Sequence, residues 1–221
     1  MPERSIGAAR LRVGVLASGR GSNLRALVVA TRASGVRADV VVVVSDRADA
    51  DALAYARVEG IPAVHLDPRQ HPTREAHDKA LIGVLDEHRV GLVCLAGYMR
   101  ILTPELVRHF AGRLLNVHPA LLPAFPGLHA QRQALDHGVR VTGATVHFVD
   151  EGVDTGPIVL QAAVPVEPGD TEERLAARIL AEEHRIYPEA VRLFAEGRLA
   201  IHGRTVRIAP GAPAPPAKET P

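Results

Sequence analysis

A single cysteine, Cys94, is the only thiol in the sequence, which excludes a disulfide scaffold and any cysteine-cluster metal site. Tryptophan is absent, and four Phe and three Tyr are the only aromatics in 221 residues, too few for a base-stacking platform. No apolar run approaches the roughly 20 residues a membrane-spanning helix needs. The N-terminus has no long apolar core before a cleavage site, so a signal peptide is not expected. Excess charge of either sign is also missing: 26 Lys and Arg face 25 Asp and Glu, a net +1. That balance argues against a nucleic-acid partner held by charge. These absences predict a cytoplasmic protein in a reducing compartment, with no membrane association. Two scarcities bear on the site itself. Lys79 and Lys218 are the only lysines, so the remaining basic residues are arginine, and Asn23 and Asn116 are the only asparagines.

What is present is an apolar content of 47%, enough for a sizeable core. The first half alternates strand-like and helix-like segments. Strands are expected at Leu11–Leu16, 40–44 (five consecutive valines), 63–66, Leu92–Leu95 and 114–117. Helical patterns follow residues 17–22 and occupy 48–59 and 74–88. This rhythm predicts an α/β fold, a Rossmann-like and mostly parallel sheet with helices on both faces. Residues 121–128 hold Pro123 and Pro126 and should form a shaped loop, with a cis bond before Pro123. Residues 142–149 and 158–166 read as antiparallel partners, and Thr171 as the cap of a long final helix. Residues 1–208 are expected to form a single domain. Residues 209–221, with five prolines in 13 positions, are expected to be a disordered tail.

Three motifs carry chemistry. Ser18-Gly19-Arg20-Gly21-Ser22-Asn23 lies between a strand and a helix, where free amides and short polar side chains suit one phosphate. Leu24 takes the third glycine position of a dinucleotide fingerprint and the Walker lysine is missing, so an ordinary capped turn is the plainer alternative. Asn116 and His118 alternate at the end of a sheet strand, where ligands of parallel sheets bind. A carboxamide beside an imidazole suits an oxyanion and a proton transfer, although a polar strand end would look the same. Asp150-Glu151-Gly152-Val153-Asp154-Thr155-Gly156-Pro157 is an acidic turn; a carboxylate from it near His118 would raise the imidazole pKa. The 11 histidines contain no His-Glu-x-x-His and no tight ligand cluster, so no metal is expected.

Taken in order, Ser18–Leu24, Leu95-Ala96-Gly97-Tyr98-Met99-Arg100-Ile101-Leu102, Asn116-Val117-His118-Pro119 with its Leu-Leu-Pro continuation, and the acidic turn resemble the folate-dependent formyltransferase family. The resemblance runs from about Arg12 to Leu199, and the Gly-x-Gly-Ser-Asn-Leu loop is similar to the family's glycinamide ribonucleotide branch. It implies transfer of a formyl group from 10-formyltetrahydrofolate, as co-substrate, to the amine of glycinamide ribonucleotide in purine synthesis. By the same resemblance Asn116, His118 and Asp154 would be catalytic, the oxyanion being stabilised by Asn116 and by a protonated His118 whose pKa Asp154 raises. Gly21, Ser22, Asn23 and Glu183 would hold the ribonucleotide. Arg74, Met99, Arg100, Ile101, Leu102, Asn116, Asp150, Glu151, Gly152, Val153 and Asp154 would line the folate pocket. Leu180 is a departure, since the family would have a polar substrate contact near it. The chain would act as a monomer or homodimer on small-molecule substrates.

Two relatives within the resemblance remain alternatives: a deformylase, which delivers the formyl group to water, and a methionyl-tRNA formyltransferase. The expected length argues against both, for want of a regulatory or a tRNA-gripping domain. A nucleotide-binding module without catalysis is a third, and would have no need for Asn116, His118 and Asp154 to meet.

Overall fold

The computed structural model describes residues 9–33 and 35–210. Among the described residues nine strands form one sheet in the order β3-β2-β1-β4-β5-β6-β7-β9-β8. The first five, β1 (Leu11–Leu16), β2 (Ala38–Ser45), β3 (Ala63–His65), β4 (Leu92–Leu95) and β5 (Leu114–His118), are mutually parallel. β6 (Val141–Phe148) runs antiparallel to β5, and β7 (Ile158–Pro165) antiparallel to β6. The expected strands are therefore present with ends shifted by one or two residues. The valine run explains itself: Val43 packs into the core on one face, while Val42 and Val44 pack on the other. A strand covered on both faces has no polar side to alternate with.

Among the described residues six α-helices cover the sheet: α1 (Ser22–Arg32), α2 (Asp51–Val58), α3 (Arg74–Glu87), α4 (Pro104–His109), α5 (Ala130–Asp136) and α6 (Glu172–Ala195). The long final helix α6 starts where expected, with the Thr171 hydroxyl accepting the Arg174 N–H. Its buried face includes Leu175, Ile179, Ile186, Ala190 and Leu193, steps of three, four and seven that form one apolar stripe. Two features were not anticipated. The short helices α4 and α5 lack room for a full periodic pattern, and a hairpin of β8 (Leu199–His202) and β9 (Thr205–Ile208) follows α6 at the sheet edge. Of the expected tail, Ala209 is held by Arg198 through both its N–H and its carbonyl, so the ordered body extends past residue 208. Residues 211–221 lie outside the described residues. No helix among the described residues is long and apolar enough to cross a membrane.

The register aligns the functional ends. Leu16 pairs with Leu95, and Leu95 with Asn116. The segments leaving β1, β4 and β5 therefore emerge side by side, one strand spacing of about 4.8 Å apart, at the carboxyl edge where parallel sheets bind ligands.

Candidate active site

The first component is the turn from β1 into α1. Gly21 caps the helix at φ +72°, and a Cβ there would lie 3.0 Å from Ala52; both facts require glycine. The cap contributes no side-chain hydrogen bond, so the amides of the first turn remain directed at the space before the helix, an arrangement that attracts an anion. Asn23 and Glu183, both expected at the ribonucleotide, are in contact. The Asn23 side chain is buried, and Nδ2 donates to Glu183 Oε2 at 2.6 Å, while Oδ1 is buried with no partner among the described residues. Burial pushes the Glu183 carboxyl up to about 6, with the Asn23 hydrogen bond opposing.

The second component forms around Asp154. Asn116 and His147 are cross-strand partners on β5 and β6, as are His118 and Thr145, so all four side chains share one face. Asn116 Nδ2 donates to His147 Nε2 at 3.2 Å and, more weakly, to Asp154 Oδ1 at 3.4 Å. His147 Nδ1 donates to the Phe148 carbonyl at 2.9 Å, which fixes Nε2 as the acceptor. His118 Nδ1 stands 3.3 Å from Asp154 Oδ2, and Nε2 donates to the Phe125 carbonyl at 2.8 Å. Asp154 also accepts the Gly127 N–H at 2.8 Å. It holds this position at φ +55°, a backbone region that costs an L-residue about 1 kcal/mol.

One expectation is corrected. Asp154 does act to raise the His118 pKa, as does the Phe125 carbonyl, but burial outweighs them and His147 adds to it, so the net shift is downward. The imidazole at rest is therefore neutral near pH 7, although both nitrogens face acceptors able to hold a second proton. Burial likewise pushes Asp154 up, but the neighbouring His147, the Gly127 N–H and the nearby His118 outweigh it, leaving a carboxylate below its usual range.

The loop after His118 is held by residues that sequence reasoning missed. Thr145 Oγ1 donates to the Ala120 carbonyl and accepts the Leu122 N–H, and Gln161 Nε2 donates to Thr145 Oγ1 and the Leu122 carbonyl. The Leu122–Pro123 bond is cis. The period-two alternation of residues 142–149 already set Thr145 and His147 on one face; what the sequence does not show is that this face meets Asn116.

The residues expected to line a folate pocket divide into groups. Met99 and Ile101 are exposed apolar side chains, whereas Leu102 packs on the core. Arg100 has its Nε buried with no partner among the described residues. Asp150 braces its own turn by accepting from the Gly152 N–H and Thr155 Oγ1, and Glu151 pairs with Arg108 on α4. Val153 is exposed. Arg74 begins α3, where its described partner is Glu75 at 4.0 Å. Among the described residues no group of three or more His, Cys, Asp and Glu could hold a metal.

An anion-directed helix start and an Asn–His–Asp cluster at the carboxyl edge of a Rossmann-like sheet define an enzyme site suited to an anionic substrate and a developing oxyanion. The chain belongs to the formyl transferase family, whose model matches residues 11–191. It is 47% identical to the phosphoribosylglycinamide formyltransferase of Escherichia coli K12, over 87% of this chain and 91% of that one. It is 49% identical to the trifunctional purine biosynthetic protein adenosine-3 of Drosophila pseudoobscura pseudoobscura; that match covers 94% of this chain but only 15% of the larger protein. In structure it is similar to glycinamide ribonucleotide transformylase 1 from Symbiobacterium toebii, with TM-score 0.90 and 59% identity, covering 92% and 96% of the two chains.

Proposed function

We propose that this chain transfers the formyl group of 10-formyltetrahydrofolate to the amine of glycinamide ribonucleotide, a step of purine biosynthesis. The observation that carries the reading is the meeting of Asn116, His118 and Asp154 within 3.4 Å of one another's polar atoms through Asp154. A nucleotide-binding module has no use for that meeting. The ribonucleotide phosphate lies before α1, at Gly21 and Ser22, and Glu183 with Asn23 forms the polar wall beside it. The folate lies along residues 99–102 and the 150–154 turn, where Met99, Ile101 and Val153 offer apolar surface to an aromatic ring system.

In the reaction the neutral amine attacks the formyl carbon, a C–N bond forms, and the carbonyl electron pair moves onto oxygen. Asn116 releases its long hydrogen bond to Asp154 and turns that N–H to the developing oxyanion. The attacking nitrogen, now an ammonium, must lose a proton, and the leaving folate nitrogen must gain one as the old C–N bond breaks. A neutral His118 has its free lone pair on Nδ1, on the Asp154 side, so the first proton reaches it through a water at the Asp154 carboxylate and returns the same way to the leaving group. In between, the imidazolium is held by Asp154 on one side and the Phe125 carbonyl on the other. Asp154 thus stabilises the transient cation and orients the ring.

The test is a spectroscopic assay of tetrahydrofolate formation with glycinamide ribonucleotide present and omitted. Product only with the ribonucleotide is expected. Equal turnover without it would assign the formyl group to water and the chain to hydrolysis.

A further inference from the structure

The two segments assigned above to different substrates are joined by Ser18. Its N–H donates to the Gly97 carbonyl at 3.1 Å, and its Oγ accepts the Met99 N–H at 2.9 Å. Ser18 is 5% exposed, so water does not compete for these bonds. At its far end the 97–103 segment is anchored again, where Asp78 Oδ2 accepts the Thr103 N–H at 2.7 Å. Asp78 is itself buried against His77. The backbone between these two anchors carries Met99 and Ile101, 66% and 64% exposed, and among the described residues no other side-chain hydrogen bond holds it near Met99. One anchor is thus rigid core, and the other belongs to the turn that precedes α1. On its opposite side that turn rests on α2, with the Ala52 N–H donating to the Gly19 carbonyl. Any ligand that orders residues 19–23 therefore acts on Ser18, and through Ser18 on Met99.

We propose that Ser18 is a positioning residue that couples the two substrate subsites. An anion seated at the start of α1 sets the conformation of residues 97–102 and strengthens binding of the folate, and the folate strengthens binding of the ribonucleotide by the same factor, because coupling between equilibrium binding sites is reciprocal. The inference rests on the functional reading above. Ser18 itself need touch neither ligand; its effect passes through the Met99 backbone.

Calorimetry on the full chain with tetrahydrofolate and glycinamide ribonucleotide tests this, since without a formyl group the pair binds and does not react. Each ligand should tighten the other about fivefold or more, the lower range of typical couplings. In Ser18→Ala the factor should fall to within about twofold of one, while Ser18→Thr, which keeps the acceptor oxygen, should retain it. A merely structural role would weaken each ligand alone and leave the factor unchanged. That result, or a factor of one in the unaltered chain, overturns the proposal. A second measurement needs no variant. Hydrogen exchange at the Met99 amide should slow on adding inorganic phosphate alone, and unchanged exchange also counts against the coupling. Failure of the unaltered chain to bind either ligand would instead remove the functional reading, and this inference with it.

Discussion

At His118 the hydrogen-bond geometry and the burial pull in opposite directions, and the resulting neutral ring sets the pH behaviour. Its lowered pKa places the acid limb of kcat/KM below pH 6.5, the ordinary histidine value; a limb at or above 6.5 would contradict this assignment. Asp154→Asn removes the negative partner that favours the imidazolium, so the His118 pKa should fall further in an NMR titration. Asn116→Ala and His118→Ala should each fold and lose on the order of 10²–10³ in turnover, the usual cost of removing an oxyanion donor or its proton carrier. Glu183 supplies a stability test with the opposite sign. Its folded pKa is raised, to about 6. Its contribution is therefore fully present below the unfolded carboxyl value and lost as pH rises through 6, a change of about 2 kcal/mol. Glu183→Gln keeps the Asn23 partner and removes that decline, which urea unfolding at pH 4.5 and 8 would register as a smaller difference than in the parent. Asn116 and His118 were legible from their spacing of two on a strand end. Asp154 was legible only as a suggestion, because 36 positions separate it from His118 and nothing local fixes their approach. His147 was not legible, since its role depends on cross-strand register, which is a property of the pair.

At the scale of elements, α6 is the part that ties the site together. Glu183 and Tyr187 lie one turn apart, so they share a face. Glu183 reaches Asn23 in α1, and the Tyr187 hydroxyl reaches the Leu95 and Leu115 carbonyls at 3.0 Å each. The Leu95 carbonyl ends β4 just before Ala96, and the Leu115 carbonyl lies within β5 directly before Asn116. Tyr187→Phe should therefore cost about 1–2 kcal/mol from under-satisfied buried groups, and should lower kcat more than it raises either KM. The turn that delivers Asp154 has its own requirement. A Cβ on Gly156 would stand 1.8 Å from the Phe148 carbonyl oxygen. Gly156→Ala should therefore displace the turn, with a stability loss of at least 1–3 kcal/mol and activity falling in parallel; an unshifted melting temperature would refute the close approach. The central strands were legible because runs such as residues 40–44 have no other stable use. The β8–β9 hairpin was not, because its strands are four residues each with largely exposed side chains, so neither periodicity nor burial marks them.

Across the whole molecule, the sheet order separates what binds from what supports. The segments after β1, β4 and β5 meet at the carboxyl edge, whereas β9 and β8 complete the far side of the sheet beyond β7. Leu199 and Val206 of that hairpin pack against the same core that holds Tyr187 and Leu115, so the hairpin contributes stability without approaching Asn116. Near-zero net charge fits the same division: an anion seated before α1 would be met by local helix amides, and the bulk surface need not carry that field. Leu199→Ala tests the separation. Leu199 is only partly buried, so its truncation should cost about 1–2 kcal/mol, below the range for a fully buried leucine, and shift the urea midpoint accordingly. Because the lost contacts lie across the sheet from the three segments, kcat/KM for both substrates should stay within about twofold of the parent. A loss of activity without a loss of stability would mean that the hairpin acts on the site, and the division between supporting and binding edges would have to be redrawn.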